Sequence, residues 1–344
     1  MQSQHAGLIF ALFLAAAPAV AQNTTQNVRI TPVGSHPGDL CANDRAMILE
    51  DPSGVRLLYD AGHTVTGGDD PRLGTIHAVL LSHAHGDHIG DQKLKAVGAG
   101  TCANSERVSA APNSTTAEVA AAKSATIVMA NDMGAFIGRK VQTISGKPVG
   151  ACPQTDGVTT VPVAAPCRSN THLGGVFVAR APNAAQGVEI TIVFASHANN
   201  VPLSLLSEAQ RTNLGADDTS LFLGPPTGYV IKFTNGLVVY LSGDSGIHTE
   251  MKTVVNEYHK AQLAVLNLGP SAGTFISGTH AMNELVRPTS IILTHTNEAV
   301  TDGGKLRPSS RTAALMKQLK APSYLAISGR TMEFDGAGKC IAGC

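Results

Sequence analysis

A short string of metal-binding residue types stands out in this sequence. Three histidines and one aspartate lie within His83–His88, directly after the apolar run Ala78–Ser82. A brief apolar run of this kind predicts a buried strand, and layered α/β folds build their sites at the carboxyl ends of strands. Imidazole nitrogens and a carboxylate oxygen are ligands that suit zinc, iron or manganese. The string therefore predicts a metal site, with a solvated histidine-rich loop as the alternative.

The composition restricts the class of protein. The 344 residues are 43% hydrophobic and 15% charged, with 25 Lys+Arg against 25 Asp+Glu. The hydrophobic fraction is too high for a disordered chain, and the apolar residues are too scattered for a protein with several membrane spans. A formal net charge of zero argues against nonspecific binding to nucleic acid or to an anionic membrane. We expect a soluble folded protein that acts on a small-molecule substrate.

The first 21 residues have the pattern of a signal peptide. The apolar run Gly7–Ala17 is too short to cross about 30 Å of hydrocarbon as a helix, and the small residues Ala19–Ala21 follow it. Because no Lys or Arg precedes this run, a buried N-terminal helix is the alternative reading. We expect cleavage before Gln22 and a periplasmic or secreted mature protein.

Cysteine usage is compatible with export. None of the six cysteines belongs to a C-x-x-C pair, which argues against a thiolate zinc site or a redox motif. An even number in an oxidising compartment permits disulfides, although six cysteines allow about 15 pairings. We favour Cys152–Cys167, because this pair would join the ends of a segment with little periodicity; free buried cysteines are the alternative.

Short β-like runs alternate with helical stretches along the rest of the chain. An Asn-Gly turn between two apolar runs predicts a hairpin at Gly228–Leu241. Helices are predicted at Glu250–Lys260, Thr279–Val286 and Ser309–Leu319, so we expect strands sandwiched by helices. The segment from about Gly98 to Gly175 has weak periodicity, and we expect an irregular insertion that covers one edge of the active site.

The metal-binding string resembles a known family signature. His83-x-His85-x-Asp87-His88 is similar to the H-x-H-x-D-H motif of metallo-β-lactamase-fold hydrolases. Four other motifs of that family appear in the family's order along the chain: the first ends at Asp60, before the string, and the others end at His197, Asp244 and His295, after it. The resemblance runs from Val28 to Phe334 outside the insertion. It implies a four-layer αββα sandwich, with residues 22–344 as a single domain carrying the insertion at about 98–175.

The resemblance also implies a role for each motif residue. It assigns His83, His85 and His197 to one metal ion, and Asp87, His88 and His295 to a second ion. Asp244 and a hydroxide would bridge two divalent ions, zinc first, with manganese or iron as alternatives. Asp60 would orient a ligand. Asp87 and His280 are the predicted catalytic residues, the latter as a proton donor, with a surface histidine as the alternative for His280.

The order of motifs between Thr227 and His295 narrows the expected chemistry. It resembles the ascorbate-6-phosphate lactonase-like branch of the fold, although Gln262 stands where that branch has an aspartate. Asp244 argues against a true β-lactamase, since those enzymes lack the bridging aspartate. We expect hydrolysis of a small ester or lactone. β-Lactam hydrolysis, phosphodiester cleavage and hydrolytic dehalogenation on the same centre are the alternatives, as is a metal-binding module without activity.

Overall fold

Short apolar runs separated by turns form two large β-sheets. The structure is a computed structural model, and it describes residues 26–269 and 275–344. The strands of this part of the chain are β1 (Val28–Pro32), β2 (Met47–Glu50), β3 (Arg56–Tyr59), β4 (Ala78–Leu80), β5 (Gln92–Leu94), β6 (Arg107–Ser109), β7 (Thr126–Val128), β8 (Val158–Thr160), β9 (Cys167–Arg168), β10 (Val176–Arg180), β11 (Val188–Phe194), β12 (Thr227–Lys232), β13 (Val238–Leu241), β14 (Leu263–Asn267), β15 (Ser290–Thr294), β16 (Thr301–Asp302), β17 (Lys305–Leu306), β18 (Ser323–Leu325), β19 (Met332–Phe334) and β20 (Cys340–Ala342).

The two large sheets pack against each other over a shared core. The first has the strand order β20-β19-β1-β2-β3-β4-β7-β9, and the second has the order β18-β15-β14-β13-β12-β11-β10-β8. Buried residues of both sheets belong to one hydrophobic cluster, which includes Leu57 and Leu80 from the first sheet and Ile190 and Tyr229 from the second. Because the inner faces exclude water from this cluster, burial of apolar surface holds the sheets together.

Helices cover the outer faces of both sheets. Residues Thr115–Ala122 and Asn131–Ser145 pack on the first sheet, against β4, β7 and β9. On the second sheet, a separate cluster joins Met251, Val255 and Met282 of the helices to strand residues such as Leu266. The described helices are Gly86–Ile89, Thr115–Ala122, Asn131–Ser145, the 3-10 helix Leu203–Leu205, Glu208–Ala216, Met251–Tyr258, Phe275–His280, Ala281–Val286 and Arg311–Met316. The expected four-layer αββα sandwich is confirmed.

The range 98–175 is more regular than the sequence indicated. Strand β7 lies between β4 and β9 in the first sheet, so this range contributes to the main scaffold. The helix Thr115–Ala122 begins at Ser114, whose side chain accepts a hydrogen bond from the backbone N–H of Ala117. The expectation of an irregular insertion is therefore wrong for this part. An alanine-rich helix and a three-residue strand give too little polar–apolar contrast to be recognised by periodicity.

Other expectations can be compared directly. Strands β12 and β13 form the predicted hairpin, in which Tyr229 pairs with Leu241. The last predicted helix is shorter than expected, spanning Arg311–Met316 with Ser310 as its cap. The predicted signal peptide lies outside the described residues. Within residues 26–269 and 275–344, no helix is both long and apolar enough to cross a membrane.

All six cysteines form disulfides. The predicted pair Cys152–Cys167 is confirmed. The other two bonds are Cys41–Cys102, which joins residues 61 positions apart, and Cys340–Cys344 near the end of the chain. Cys41–Cys102 links the loop before β2 to the loop before β6.

Candidate metal centre

The strand topology brings the predicted ligands to one edge of the two sheets. His83 to His88 follow β4, His197 follows β11, Asp244 follows β13 and His295 follows β15. Strands β13, β14 and β15 are parallel, and β11 has the same direction because it is antiparallel to β12. Their carboxyl ends therefore lie together. Hydrogen bonds join the sheets at this edge, among them those from Thr227 N to Ser82 O at 2.8 Å and from Gly243 N to Tyr59 Oη at 3.1 Å.

All seven predicted ligands belong to groups whose donor atoms could bind a metal ion. In each group the nitrogen and oxygen donors lie within 4.8 Å of one another. The groups share His83 and His88, so together they form one continuous centre. Their members are His83, His85 and His197; His83, His88 and Asp244; and Asp87, His88 and His295.

The first half of the centre consists of three neutral imidazoles. Nδ1 of His83 lies 3.0 Å from Ser82 Oγ. The buried Nε2 of the same ring has no hydrogen-bond partner in the described structure. Nδ1 of His85 lies 3.2 Å from Nε2 of His197. Burial lowers the pKa of His83, His85 and His197, that of His83 most strongly. These rings are therefore unprotonated near neutral pH, which is the state that binds a metal ion.

The second half adds two carboxylates. Oδ2 of Asp244 lies 3.3 Å from Nε2 of His88 and 3.1 Å from Nε2 of His295. Oδ2 of Asp87 lies 3.4 Å from the same atom of His295. Burial raises the pKa of both aspartates, but nearby positive charges outweigh it: Arg45 and His88 for Asp87, and His88 and His295 for Asp244. Both carboxyl groups are consequently held ionised.

Asp60 orients one of the ligands, His88, by accepting a hydrogen bond from its ring. Its carboxylate accepts hydrogen bonds from Ser82 N, from Ser82 Oγ and from Nδ1 of His88, each at 2.8 Å. With Nδ1 used in this way, His88 directs Nε2 toward Asp244. Burial lowers the pKa of His88, but the charges of Asp244, Asp60 and Asp87 outweigh it and raise this pKa to about 10. A cation is thus strongly favoured at His88, either a proton or a metal ion.

Arg45 is a charged residue of the centre that the sequence analysis missed. Its side chain is fully buried, and Nη1 hydrogen-bonds to Asp87 Oδ2 and lies 3.0 Å from His295 Nε2. Its Nε donates to the carbonyl oxygen of Asn43. No signal in the sequence marks Arg45, because it precedes β2, far in sequence from every ligand.

Two buried asparagines also support the centre and were missed. Asn267 Nδ2 donates to Oδ1 of Asp244 at 3.0 Å. Asn199 accepts a hydrogen bond from the backbone N–H of Ala84, between two ligands, and donates to the carbonyl oxygen of Gly224. A polar residue at the end of the apolar run 263–267 was the available signal for Asn267. Both asparagines position loops that carry ligands.

The predicted proton donor lies apart from these contacts. His280 is exposed at the end of the helix Phe275–His280. Among the described residues, no hydrogen bond or ion pair joins His280 to the predicted ligands. The role of His280 as a proton donor stays a prediction without a supporting contact.

Arg107 connects the range 98–175 to residues beside the metal-binding string. Arg107, on β6, has Nη1 3.2 Å from Nδ1 of His63, and Nε2 of His63 lies 2.7 Å from Asp91 Oδ1. Burial and the charge of Arg45 lower the pKa of Arg107, while Asp87 acts in the opposite direction. Arg107 is therefore a second arginine whose charge interacts with the second half of the centre.

The residues present fit a divalent ion. The buried Nε2 atoms of His83 and His88 form no hydrogen bond in the described structure, although carboxylates lie beside them. Gly269 leaves room at the centre, since a Cβ atom there would lie 3.2 Å from Oδ2 of Asp244. Imidazole nitrogen with carboxylate oxygen is a donor set for zinc, iron or manganese. The fit is clear for the first half, whereas Arg45 contacts two donors of the second.

Comparisons with known proteins find metal-dependent hydrolases among the relatives of this chain. No family model matches the chain. A metal-dependent hydrolase of Cupriavidus taiwanensis is 26% identical over 268 residues, which cover 77% of this chain and 73% of that protein. A metal-dependent hydrolase of Cupriavidus necator is 25% identical over 254 residues, covering 71% and 68%.

The solved structures support the fold. A metallo hydrolase from the archaeon Ignicoccus hospitalis superimposes with a TM-score of 0.51 at 19% identity, covering 90% of this chain and 99% of that one. The two packed sheets with outer helices match the fold expected from the motifs, and the ligand cluster lies where those motifs end. The chain is a metal-dependent hydrolase with the metallo-β-lactamase fold.

Proposed function

We propose that this hydrolase cleaves a small ester or lactone at the centre formed by His83–His88, His197, Asp244 and His295. The observation that carries the proposal is the arrangement of the donors relative to solvent. His83, His88, His295 and Asp244 are buried, whereas His85, His197 and Asp87 are partly exposed. A substrate from solution can therefore reach the open side of a centre whose other side is fixed by the core.

The chain's own residues prepare this centre for hydrolysis. A divalent ion bound here supplies Lewis-acid chemistry, which activates water as a nucleophile near neutral pH and polarises a carbonyl group. The neutral rings of His83, His85 and His197 would hold it, with Asp244 as a further ligand. Asp60 fixes the orientation of His88, and Asn267 fixes that of Asp244. The prediction of a second ion, bound by Asp87, His88 and His295, depends on what Arg45 does.

Exposed apolar side chains near the ligand loops support a substrate with an acyl or aryl group. Leu203 is 55% exposed, Phe222 is 52% exposed and Ile247 is 45% exposed. Phe222 pairs with Asn200 in the loop after His197, and the backbone before Ile247 bonds to Ser196. Leu205 and Leu206, which follow Leu203, cannot contact such a group, because they are buried in the core.

A phosphodiester is the second candidate substrate. The guanidinium groups of Arg107 and Arg45 are close enough for the charge of Arg45 to lower the pKa of Arg107, and the charge of Asp87 acts on Arg107 in the opposite direction. The sequence alone gave no sign of such a pair. A substrate phosphate or carboxylate would be stabilised by these guanidinium groups, whereas a neutral ester would not need them. β-Lactam hydrolysis and hydrolytic dehalogenation remain alternatives that no contact in the structure favours.

A substrate panel tests the proposal. We would assay acyl lactones, aryl esters, a chromogenic β-lactam and bis-nitrophenyl phosphate, each with zinc and with manganese. Turnover of lactone or ester should exceed that of the others by at least about tenfold, or about 1.4 kcal/mol of transition-state preference. If turnover of the phosphodiester or the β-lactam exceeds that of the esters and lactones by this margin, the proposed substrate class is wrong.

We also propose that the protein is exported, with cleavage after Ala21. The apolar run Gly7–Ala17 supports this, and so do the disulfides that pair all six cysteines, because such bonds persist in oxidising compartments. N-terminal sequencing of the protein from a periplasmic or culture fraction should begin at Gln22. Protein recovered from the cytosol with Met1 intact would contradict export.

A further inference from the structure

The guanidinium group of Arg45 lies among the atoms that the motifs assign to a second metal ion. Nη1 contacts Asp87 Oδ2 through a hydrogen bond and lies 3.0 Å from His295 Nε2. Nε2 of His88, the third donor of this group, lies 3.9 Å from the same Asp87 oxygen. The side chain of Arg45 has no solvent exposure, so water does not compete with these contacts.

A guanidinium nitrogen and a metal ion cannot use these donors in the same way at once. A neutral imidazole nitrogen that faces the centre has one lone pair, which either accepts an N–H or binds a cation. A zinc–nitrogen bond is about 2.0–2.1 Å long, so an ion on His295 would occupy the space into which Nη1 points. We propose that Arg45 supplies the second cation of this centre, so that the resting hydrolase holds one divalent ion. This inference rests on the proposed metal-dependent function.

The balance of buried charge supports one ion. The carboxylates that contact the centre belong to Asp60, Asp87 and Asp244, and the neighbouring guanidinium belongs to Arg45. One divalent ion together with this guanidinium already balances the three carboxylates, before the charge of Arg107 is counted. A second divalent ion would leave an excess of positive charge in a buried site, which is unfavourable unless an anion accompanies it. The balance therefore favours Arg45 over a second ion.

Local structure holds Arg45 in this position. Its Nε donates to the carbonyl oxygen of Asn43 at 3.1 Å. The preceding residue, Asp44, accepts the backbone N–H of His295 on its carbonyl oxygen at 2.9 Å, and its carboxyl group accepts hydrogen bonds from Ser35 and Cys41. The loop that carries Arg45 is thus tied to the loop that carries His295. A second ion could bind only if the guanidinium left this buried position.

Metal content measures this competition directly. We would equilibrate the protein with zinc at a series of buffered free concentrations and count zinc per chain by mass spectrometry. Over a range of free zinc concentrations, the wild type should bind one zinc per chain while Arg45→Met binds two. The zinc affinity of the second site should be at least about tenfold higher in the variant. Arg72→Met is the matched control, because Arg72 pairs with Asp70 at 2.6 Å and contacts no ligand. The control should behave as the wild type does.

Two outcomes would overturn the inference. One is a wild type that binds two zinc ions with similar affinity; the other is a folded Arg45→Met that still binds one. Should Arg45→Met fail to fold, electron paramagnetic resonance of the wild type with manganese decides. Spectra of isolated Mn²⁺ at saturation support the inference, and spectra of a coupled Mn²⁺ pair overturn it. Either result leaves the proposed function to be judged separately, by whether chelation abolishes hydrolysis.

Discussion

Nδ1 of His88 lies 2.8 Å from Oδ2 of Asp60, and both side chains are completely buried. The contact connects the end of β3 with the metal-binding string after β4, so two strands of the first sheet cooperate in directing one imidazole. Asp60 has a left-handed backbone with a φ of 44°, which residues other than glycine rarely adopt and which aspartate and asparagine tolerate best.

Replacement of Asp60 tests this support. Asp60→Asn keeps the size and the tolerated backbone but removes the charge, so His88 should lose its fixed orientation. We expect metal affinity to fall by about 10–100-fold, measured by competition with a chromogenic chelator. Asp51→Asn is the control, since Asp51 is buried and hydrogen-bonds to Thr234 instead. Equal metal affinity in wild type and Asp60→Asn would contradict the role of Asp60.

Ile247 should affect substrate binding more than chemistry. It is 45% exposed and follows the loop of Asp244, so an acyl or aryl group would lose apolar contact in Ile247→Ser. We expect KM for an aryl ester to rise several-fold with kcat nearly unchanged. Each methylene group that no longer becomes buried on substrate binding costs about 0.8 kcal/mol of binding free energy. Ile341→Ser, a similarly exposed position on β20, should leave both constants unchanged. An effect on kcat alone would argue against an apolar wall at Ile247.

The disulfide Cys152–Cys167 should stabilise the fold. It closes a loop with a sequence separation of 15 residues, and a loop of about this length corresponds to about 3 kcal/mol in the chain-entropy treatment. We expect the double variant Cys152→Ser/Cys167→Ser to lose stability by that order in guanidinium unfolding. Removal of Cys340–Cys344, with a separation of 4, should cost less. A larger loss from the shorter loop would refute this ranking.

His77 should make stability depend on pH. Its Nδ1 accepts the backbone N–H of Arg56 at 2.9 Å, which requires a neutral ring, and burial lowers its pKa. The folded chain then binds a proton less readily than the unfolded chain, so the stabilising contribution is complete above pH of about 6.5 and declines as pH falls below that value.

The difference between two variants isolates this contribution from metal loss. We would measure unfolding of zinc-loaded wild type and His77→Gln between pH 8 and 5. The free energy of unfolding of the wild type relative to His77→Gln should fall with decreasing pH. The slope should correspond to an uptake of less than one proton on unfolding. A difference that is constant with pH, or that grows on acidification, would rule out this account of His77.

The sequence allowed the ligands to be grouped in advance because each ends a recognisable apolar run. His83 to His88 follow β4, and His197, Asp244 and His295 follow strands with clear apolar patterns. The residues that support the ligands could not be predicted from such a pattern. Arg45 is brought to the centre by the pairing of β2 with β3, and nothing in its own neighbourhood indicates a partner 42 residues later.

The expected insertion illustrates a different limit. Strand β7 has three residues and gains its stability from pairing with β4 and β9 on either side. The helix before it is rich in alanine, so its buried and exposed faces differ little in hydropathy. Periodicity alone cannot identify such elements, because their stability comes from tertiary contacts rather than from local pattern.

The most direct test of a hydrolytic metal centre is the activity of protein stripped of metal. We would remove metal by exhaustive chelation, measure residual metal, assay the best substrate of the panel, and then add zinc or manganese back. Activity should disappear with the metal and return with it, and Asp244→Asn should lower metal occupancy and activity together, because it removes a buried negative charge from the centre. Full activity in metal-free protein, or in Asp244→Asn, would contradict the account.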